Sequence, residues 1–522
     1  MIIGAIKADQ LAVFAILFGG ITVIGFAAAR WRRGDLNDLT EWGLGGRRFG
    51  TFVTWYLLGG DLYTAYTFVA VPALVFGAGA IGLFALPYTI IVFPIIYLVM
   101  PKLWQVSRNR GYVTAADFVK DRFGSPLLAG LVGITGIVAL VPYIALQIYG
   151  IEVSIAEMGI PVDASLTVAF VVLVIFTAVS GLRAPTLIAA VKDTLIWITV
   201  LVAVIYLPIR LGGYAAIFSH VPAAKLVLPS NELWGFGTLA LGSGLFLFLY
   251  PHSVTGTLSA SSKKAVERNT ALLPIYSILL GLIALLGYFA IAAGIKPSKA
   301  YGANSIVPTL FERFFPGWFA GFAFAAISIG ALVPAAIMSV SAANVFSRNI
   351  WREFLRRQAS AREEAIVAKV VSAIIKFGAL AFILAVTTKY VLYFQTAGGA
   401  WILQTLPAVF LAIWFRWLDR WATIAGWAVG IGWTTYMLVS VGFKTSFYTF
   451  AFLGHTSLFL AIPPLVANLI VVFGGTALIR AFGVQHVPSV HIDAMEFEVN
   501  TPLLHEGDGR PEDPAPAVGP VA

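Results

Sequence analysis

Long apolar stretches fill almost the whole chain and are separated by short polar segments. Each stretch runs for about 20 residues, the length that an α-helix needs to cross the hydrocarbon core of a bilayer. A transmembrane β-barrel would alternate apolar and polar positions in shorter segments, so the pattern predicts an all-α integral membrane protein. We place thirteen spans at residues 11–29, 50–76, 80–100, 126–150, 165–182, 190–211, 235–258, 269–293, 317–345, 366–387, 397–415, 421–441 and 456–480.

The composition supports this picture. Of the 522 residues, 59% are hydrophobic and 11% are charged, whereas a soluble protein carries about 25% charged residues. The net charge is +9, but the basic residues lie between the apolar stretches, so we expect contact with membrane lipid and not with nucleic acid. The chain contains no cysteine, which excludes disulfides and cysteine-ligated metals. We expect no metal site and no cofactor.

The basic residues also predict an orientation. They concentrate in alternate loops, within 30–48, 102–122, 263–268 and 348–362, and are sparse in the loops between. Cytoplasmic loops are enriched in Lys and Arg, which predicts an external N-terminus and a cytoplasmic C-terminus. Because the N-terminus lacks a basic region and a cleavage site, we expect the first apolar stretch to be retained as a span.

Two segments outside the spans have patterns of their own. The stretch 112–122 is predicted to form a short interfacial helix, because Thr114 and Asp117 fit a capping pattern. Residues 484–522 are rich in Pro, Asp, Glu and Gly without apolar periodicity, which predicts a disordered cytoplasmic tail. The membrane domain is therefore predicted to occupy residues 1–483.

An aspartate, Asp61, lies in the middle of the second predicted span, directly after Gly59 and Gly60. A carboxylate in hydrocarbon is costly and usually marks a transport path; the alternative is a carboxylate that only pairs with a neighbouring helix. Glycines allow the helix to break, and broken helices build the ion and substrate sites of secondary transporters. Freed carbonyls beside Asp61 could hold a cation, and Gly60 and Tyr63 are predicted to line the substrate site.

A second discontinuity is predicted where Pro251 interrupts the seventh span, because proline removes a backbone donor. His252 follows it and could relay a proton near neutral pH. The alternative is a histidine that caps neighbouring carbonyls.

Lys192 and Asp193 begin the sixth span. Adjacent positions on a helix do not face each other, so the simplest expectation is that both side chains reach towards the membrane interface. Two functional alternatives stay open. Asp193 could line a cytoplasmic exit, and the ammonium of Lys192 could occupy a cation site directly.

Further polar groups lie inside other spans. Tyr143 and Gln147 belong to the fourth span, where Gln147 is either a hydrogen-bond donor to substrate or a link between helices. Gln395 and Gly398 open the eleventh span and are predicted to line the substrate site together with Tyr143, Gln147, Pro251 and His252. In the ninth span Pro334 should free a carbonyl among small and hydroxyl residues, although small residues also favour tight helix packing.

Taken in order, several segments across residues 10–480 make the chain resemble the sodium:solute symporter family. They are Gly45-Gly46-Arg47, Asp61, Thr114-Ala115-Ala116-Asp117-Phe118 through Arg122-Phe123, Pro251-His252 through Ser261-Ser262-Lys263-Lys264-Ala265, Gln404-Thr405-Leu406-Pro407-Ala408-Val409-Phe410, and Trp421-Ala422-Thr423-Ile424-Ala425-Gly426. Within the family the chain looks most like the bacterial monocarboxylate permeases, which take up lactate, pyruvate and related short acids.

The resemblance implies a leucine-transporter-like fold with an inverted five-plus-five repeat. The repeats would occupy about residues 50–211 and 235–415, with broken helices at the second and seventh spans. It also implies that carbonyls of the second span, at Gly59 and Leu62, hold a sodium ion.

In the family, adjacent Ser or Thr hydroxyls of the ninth span complete that sodium site. Here the corresponding positions are Val333 and Pro334, which have no hydroxyl. This departure favours a proton as the coupling ion, carried by Asp61, His252 or Asp193. Lys192 could then stand where the sodium ion stood.

These inferences combine into one hypothesis: a symporter of the bacterial cytoplasmic (inner) membrane that takes up small monocarboxylates by alternating access, with H⁺ more favoured than Na⁺ as the coupling ion. The first alternative is the same fold carrying an amino acid, a vitamin or another small solute, with Na⁺ coupling left open. The second is a membrane sensor that retains the fold, although the tail is too short for an output domain. We expect no enzymatic activity, because the spans contain no HExxH, paired carboxylates or nucleophile–base set.

Overall fold

The computed structural model describes residues 7–30, 37–60, 62–386, 389–451 and 454–483. Two of the predictions above, for Asp61 and for the tail 484–522, lie outside the described residues. The rest of the chain is mainly a bundle of helices, and each of the thirteen predicted spans overlaps a helix. The prediction of an all-α architecture is confirmed.

The α-helices have the following bounds. They are α1 Ala8–Arg30, α2 Leu39–Leu44, α3 Thr51–Gly60, α4 Val71–Ala78, α5 Ala85–Arg110, α6 Ala115–Phe123, α7 Pro126–Glu157, α8 Val162–Ser180, α9 Arg183–Arg210, α10 Tyr214–His220, α11 Ala223–Leu226, α12 Leu233–Phe246, α13 Pro251–Leu258, α14 Lys263–Leu272, α15 Pro274–Ala292, α16 Ile306–Phe314, α17 Gly317–Val345, α18 Ala361–Ala385, α19 Leu392–Leu403, α20 Leu406–Val409, α21 Arg420–Ser440 and α22 Ile462–Ala481.

Shorter elements connect these helices. The 3₁₀-helices are Gly45–Arg47, Gly79–Phe84, Ser230–Glu232, Ala303–Ser305 and Leu411–Ile413, the π-helices are Tyr66–Ala70 and Phe346–Leu355, and the strands are β1 Phe447–Phe450 and β2 Thr456–Phe459.

Among the described residues, nine helices are long and apolar enough to cross a membrane. The number rises to eleven if each of two bent helix pairs counts as one span. The bent pairs are α12 with α13, at 44°, and α19 with α20, at 54°. The predicted number of thirteen is not reached on this measure, because α3 has only 10 residues and the apolar part of α8, Val162–Thr177, is also short.

The start of the last predicted span is wrong. We expected a helix from residue 456, but Thr456–Phe459 is strand β2, which pairs antiparallel with β1 so that Phe447 lies opposite Phe459. Helix α22 begins only at Ile462, with proline in its first turn, where the missing backbone donor costs nothing. A short apolar run does not distinguish a strand from a helix.

Helix α17 lies at the centre of the bundle. Its membrane-spanning window is entirely buried, whereas that of α18 is 28% buried. A helix that is apolar on every side belongs in the interior, and α17 packs against α1, α7 and α9. Helix α17 also contacts α13, and α7 contacts both α13 and the π-helix Tyr66–Ala70.

The basic loops gather at one end of the bundle, which we call the arginine-rich end (loops 45–50, 107–125, 259–264 and 346–364). The guanidinium of Arg47 donates to the carbonyls of Ser107, at 3.2 Å, and of Tyr112. Burial and the neighbouring Arg108 lower the pKa of Arg47 to about 10, so it stays charged at neutral pH. The helix predicted within residues 112–122 is present as α6, and its capping box between Thr114 and Asp117 is confirmed.

Candidate functional site

The first helix break follows the glycine pair. Helix α3 ends at Gly60, and helical structure resumes with the π-helix Tyr66–Ala70. The ring of Tyr276 occupies the space that a Cβ at Gly59 would need. The amide of Leu62 donates to the carbonyl of Gly59 at 2.9 Å, and the Thr67 hydroxyl donates to the carbonyl of Leu62. The two carbonyls that the resemblance implied as sodium ligands are thus already bonded within the broken segment.

Lys192 fills the break instead. Its side chain is fully buried, and its ammonium lies 2.5 Å from the carbonyl oxygen of Gly60 and 3.2 Å from that of Tyr63. A third oxygen, Oδ1 of Asp193, lies 2.9 Å from the same nitrogen. The carbonyls that hold a cation therefore belong to Gly60 and Tyr63, which directly follow the predicted Gly59 and Leu62. The cation that they hold is the ammonium of Lys192.

The expectation that Lys192 and Asp193 reach towards the interface is wrong, since both are fully buried. The argument that adjacent positions do not face each other also fails here. The lysine stem is long and flexible, so it folds back until its ammonium meets the neighbouring carboxylate. Because neither side chain reaches water, either charge alone would be costly here, and the two are stable only as a pair.

Tyr276 of α15 completes the arrangement. Its hydroxyl donates to Oδ2 of Asp193 at 2.7 Å, and its own backbone carbonyl accepts from the hydroxyl of Tyr63 at 3.1 Å. The ring packs edge-on against Trp55 with 4.9 Å between centroids. Sequence reasoning missed Tyr276, because a tyrosine in an apolar helix carries no signal until its partner is known.

The ninth predicted span, now α17, comes close to this site at Gly330. Val333 and Pro334 are buried, and the helix continues through Pro334 without a break. The hydroxyls of Ser339 and Ser341 donate to carbonyls one turn earlier in α17 itself. At Gly330 the backbone comes so close to the break that a Cβ would lie 3.7 Å from the Tyr63 carbonyl oxygen.

The second helix break lies just before the predicted proline. Helix α12 ends at Phe246, and α13 begins at Pro251, in its first turn. Proline favours that position because its φ angle suits a helix start, and it holds Tyr250 in an extended conformation. The predicted second discontinuity is therefore present, and Pro251 is the first residue of the helix that resumes after it. His252 follows it and is buried.

Three rings from two helices meet beside this break. Tyr143, Tyr250 and His252 have centroid separations of 5.3 to 5.5 Å. The hydroxyl of Tyr250 donates to the carbonyl of Gln395 at 2.8 Å, and a Cβ at Gly398 would lie 2.7 Å from the same hydroxyl. Four residues that the sequence predicted for the substrate site thus lie around Tyr250: Tyr143, His252, Gln395 and Gly398. Tyr250 itself was not predicted.

Gln147 connects the two breaks through α7. Its Oε1 accepts from the amide of Ala65 at 3.0 Å and so caps the helix that resumes after the first break, while Tyr143, one turn earlier on α7, faces the second. Its Nε2 is buried without a hydrogen-bond partner in the described part of the chain, as are Oε1 of Gln395 and Oγ of Ser243. Buried polar atoms of this kind are open to a bound solute.

Two cavities lie towards opposite ends of the bundle. The one beside Pro251, at the arginine-rich end, has a volume of about 20 Å³, room for about one water molecule. The one at the opposite end has a volume of about 390 Å³ and is lined by Tyr149, Tyr301 and Lys389, among others. Nowhere in the described ranges do three or more His, Asp or Glu side chains come together in a group that could hold a metal ion.

Known proteins share this architecture. The model of the sodium:solute symporter family matches residues 42–430. The monocarboxylate transport permease protein of Rhizobium johnstonii is 48% identical over 84% of this chain and 90% of its own length. The uncharacterized symporter YodF of Bacillus subtilis is 32% identical over 82% of this chain and 88% of its own.

A solved structure shows the same fold. The substrate-bound, outward-open structure of a Na⁺-coupled sialic acid symporter has a TM-score of 0.72 and is 17% identical, over 90% of this chain and 98% of the other. At this level of identity the likeness shows the fold alone, which is the leucine-transporter-like fold expected from the sequence.

Proposed function

Because the chain belongs to the sodium:solute symporter family, we propose that it carries a small monocarboxylate across the membrane and that protons, not sodium ions, drive this transport. The solute class is supported by the name of the Rhizobium johnstonii relative and by the uncharged, amide- and hydroxyl-rich surroundings of the second break. The coupling ion is inferred from the first break.

One observation carries the proton assignment: the ammonium of Lys192 on the carbonyls of Gly60 and Tyr63. A second cation 4 Å away would be repelled by about 4 kcal/mol at an effective dielectric constant of about 20. This repulsion supports the proposal that sodium does not bind beside the protonated lysine. Loss of a proton from the pair that Lys192 forms with Asp193 removes one positive charge from the break, as sodium release would.

The same contacts join the proton to the movement of helices. The protonated lysine ties α9 to both edges of the break, because Gly60 ends α3 and Tyr63 precedes the resumed helix. A neutral amine bonds carbonyls more weakly than an ammonium does. Deprotonation therefore loosens α3 from α9, which allows the bundle to change its open side. Asp61 is proposed as a further proton carrier in the same segment.

The solute site is proposed at the second break. The carboxylate would be held by the amide Nε2 of Gln147 and by the hydroxyl and ring groups of Tyr143 and His252. Gln395 and Gly398 would line the opposite wall. We propose that the arginine-rich end is cytoplasmic, following the charge rule for loops, so that the cavity of about 390 Å³ opens to the outside.

The test is uptake of labelled pyruvate into proteoliposomes on which pH and sodium gradients are imposed separately. We expect a pH gradient alone, acidic outside, to drive accumulation, and a sodium gradient alone to have no effect. Sodium-driven accumulation at zero pH gradient would overturn the proton assignment. Competition by a panel of short acids, amino acids and vitamins tests the solute class, and failure of every monocarboxylate to compete would exclude it.

A further inference from the structure

A carboxylate that no earlier step uses lies inside the bundle near the larger cavity. Glu152 of α7 is 4% exposed. Its Oε1 accepts a hydrogen bond of 2.9 Å from the hydroxyl of Tyr301. Its Oε2 is buried and has no hydrogen-bond partner among the described residues. Sequence reasoning missed Glu152 because our predicted fourth span ended at residue 150.

Tyr301 joins this carboxylate to the cavity. The tyrosine lines the cavity of about 390 Å³, and its ring packs edge-on against Tyr149, at 5.6 Å between centroids. A tight turn fixes the ring, because the amide of Tyr301 donates to Oγ of Ser298 at 3.1 Å and the amide of Gly302 to the Ser298 carbonyl at 2.9 Å. Tyr301 thus borders the cavity, while its hydroxyl reaches the buried acid.

The surroundings of Glu152 favour its neutral form when the cavity is closed. Within the described residues no basic side chain pairs with its carboxylate, whose hydrogen-bond partner is the hydroxyl of Tyr301. Asp163, in the first turn of α8, is a further acidic group on a helix that packs against α7. An isolated carboxylate is costly in such a place and is stable there as the acid. Water that enters the cavity and displaces the Tyr301 contact would let the same group ionise. Lys389, which lines this cavity, would favour the anion once water connects the two.

We propose that Glu152 and Tyr301 form a second proton-binding site, separate from the pair of Lys192 and Asp193 and filled by external water through this cavity. The proton moves from water to Oε2 of Glu152 when the cavity is open, and returns to water by the same route. Its role in transport rests on the proton coupling proposed above.

The site is placed to influence the first break. Helix α7 carries both Glu152 and Gln147, and Gln147 caps the resumed helix at Ala65. Between them, Gly150 packs so closely on Ala65 that no Cβ would fit. A change in the protonation of Glu152 that shifts α7 is therefore transmitted to the segment that holds the lysine.

The first experiment does not depend on transport. Infrared difference spectra of the purified, substrate-free protein are recorded during a pH titration, and the band of a protonated carboxyl is followed. We expect Glu152→Gln to remove one titrating band that Asp193→Asn leaves in place. Glu157→Gln is the matched control, since Glu157 lies on the same helix but near Lys7, and it should leave the band unchanged.

The second experiment measures uptake in proteoliposomes against external pH at a constant internal pH. We expect Glu152→Gln to lose the dependence of KM on external pH and to retain the dependence on internal pH. Tyr301→Phe should keep the titration but move its midpoint, which a purely structural role would not do.

The outcomes separate the two proposals. A Glu152→Gln protein whose infrared titration and external pH profile both match the parent protein would overturn the second site. A different outcome is possible in which Glu152→Gln removes the infrared band but uptake by the parent protein is driven by sodium. That result would overturn the proton coupling and leave the proton-binding site in place.

Discussion

The two helix breaks differ in the groups that surround them. The first is closed by a buried ion pair whose ammonium rests on the carbonyls of Gly60 and Tyr63. The second is bordered by rings, with the hydroxyl of Tyr250 on a backbone carbonyl of α19. The side chains at both breaks are buried, so this difference does not reflect contact with solvent.

This difference assigns separate tasks to the two breaks. The ammonium of Lys192 can lose a proton and then bonds the backbone carbonyls more weakly, which suits an ion site. Rings and unpaired amides offer contact area and hydrogen bonds without a permanent charge, which suits a small solute with few binding groups. The comparison therefore predicts that changes at the first break alter coupling, while changes at the second alter solute affinity.

The largest effect is expected from Asp193→Asn, which leaves the ammonium of Lys192 buried without its carboxylate. Breaking a buried ion pair costs about 3–5 kcal/mol, so we expect a strongly lowered unfolding midpoint in detergent and no pH-driven accumulation. The double variant Lys192→Met/Asp193→Asn removes both charges and should regain stability without regaining accumulation. A single variant as stable as the double would show that no ion pair operates there.

Tyr276→Phe tests the same break through a smaller change. It removes the only described donor to Oδ2 of Asp193, and a hydrogen bond to a charged group contributes about 1.5–3 kcal/mol. We expect the midpoint of the pH profile of uptake to move, while KM for the solute at saturating protons stays near its original value. A changed KM with an unchanged pH profile would place Tyr276 with the solute and not with the ion.

Gly398→Ala tests the second break. The added methyl group would overlap the Ala139 carbonyl and lie 2.7 Å from the Tyr250 hydroxyl, and overpacking of this kind costs about 1–3 kcal/mol. We expect a raised KM for the solute with the dependence on pH retained. Gly432→Ala is the control, because nothing lies within 4 Å of its new Cβ. Equal effects of the two variants would contradict the assignment of Gly398 to the solute site.

Tyr250→Phe should have the smallest effect on uptake. Like Tyr276→Phe, it removes a single tyrosine hydroxyl. It removes one hydrogen bond to the carbonyl of Gln395, with a net contribution of about 1 kcal/mol. We expect a KM for the solute raised about fivefold, as that energy implies, and a pH profile with its original midpoint. If instead the midpoint moves as far as in Tyr276→Phe, the two breaks do not have separate tasks.

The sequence determined the class of the molecule, its helices and the places where two of them break. Hydropathy over about 20 residues and the local effects of glycine and proline are properties of a short segment, so they can be interpreted without neighbours. The resemblance to the family pointed to Lys192 as the occupant of a cation site, because the hydroxyls that complete the family's sodium site are replaced here by Val333 and Pro334.

Only the tertiary structure decided which atoms meet. The contacts of Lys192 with Gly60, of Tyr276 with Asp193 and of Tyr301 with Glu152 join residues separated by 132, 83 and 149 positions. Helix periodicity does not specify such partners, since they depend on how helices pack and on the path of a flexible stem. For that reason the adjacency rule failed for Lys192 and Asp193, and Glu152 acquired a possible task only once Tyr301 and its cavity stood beside it.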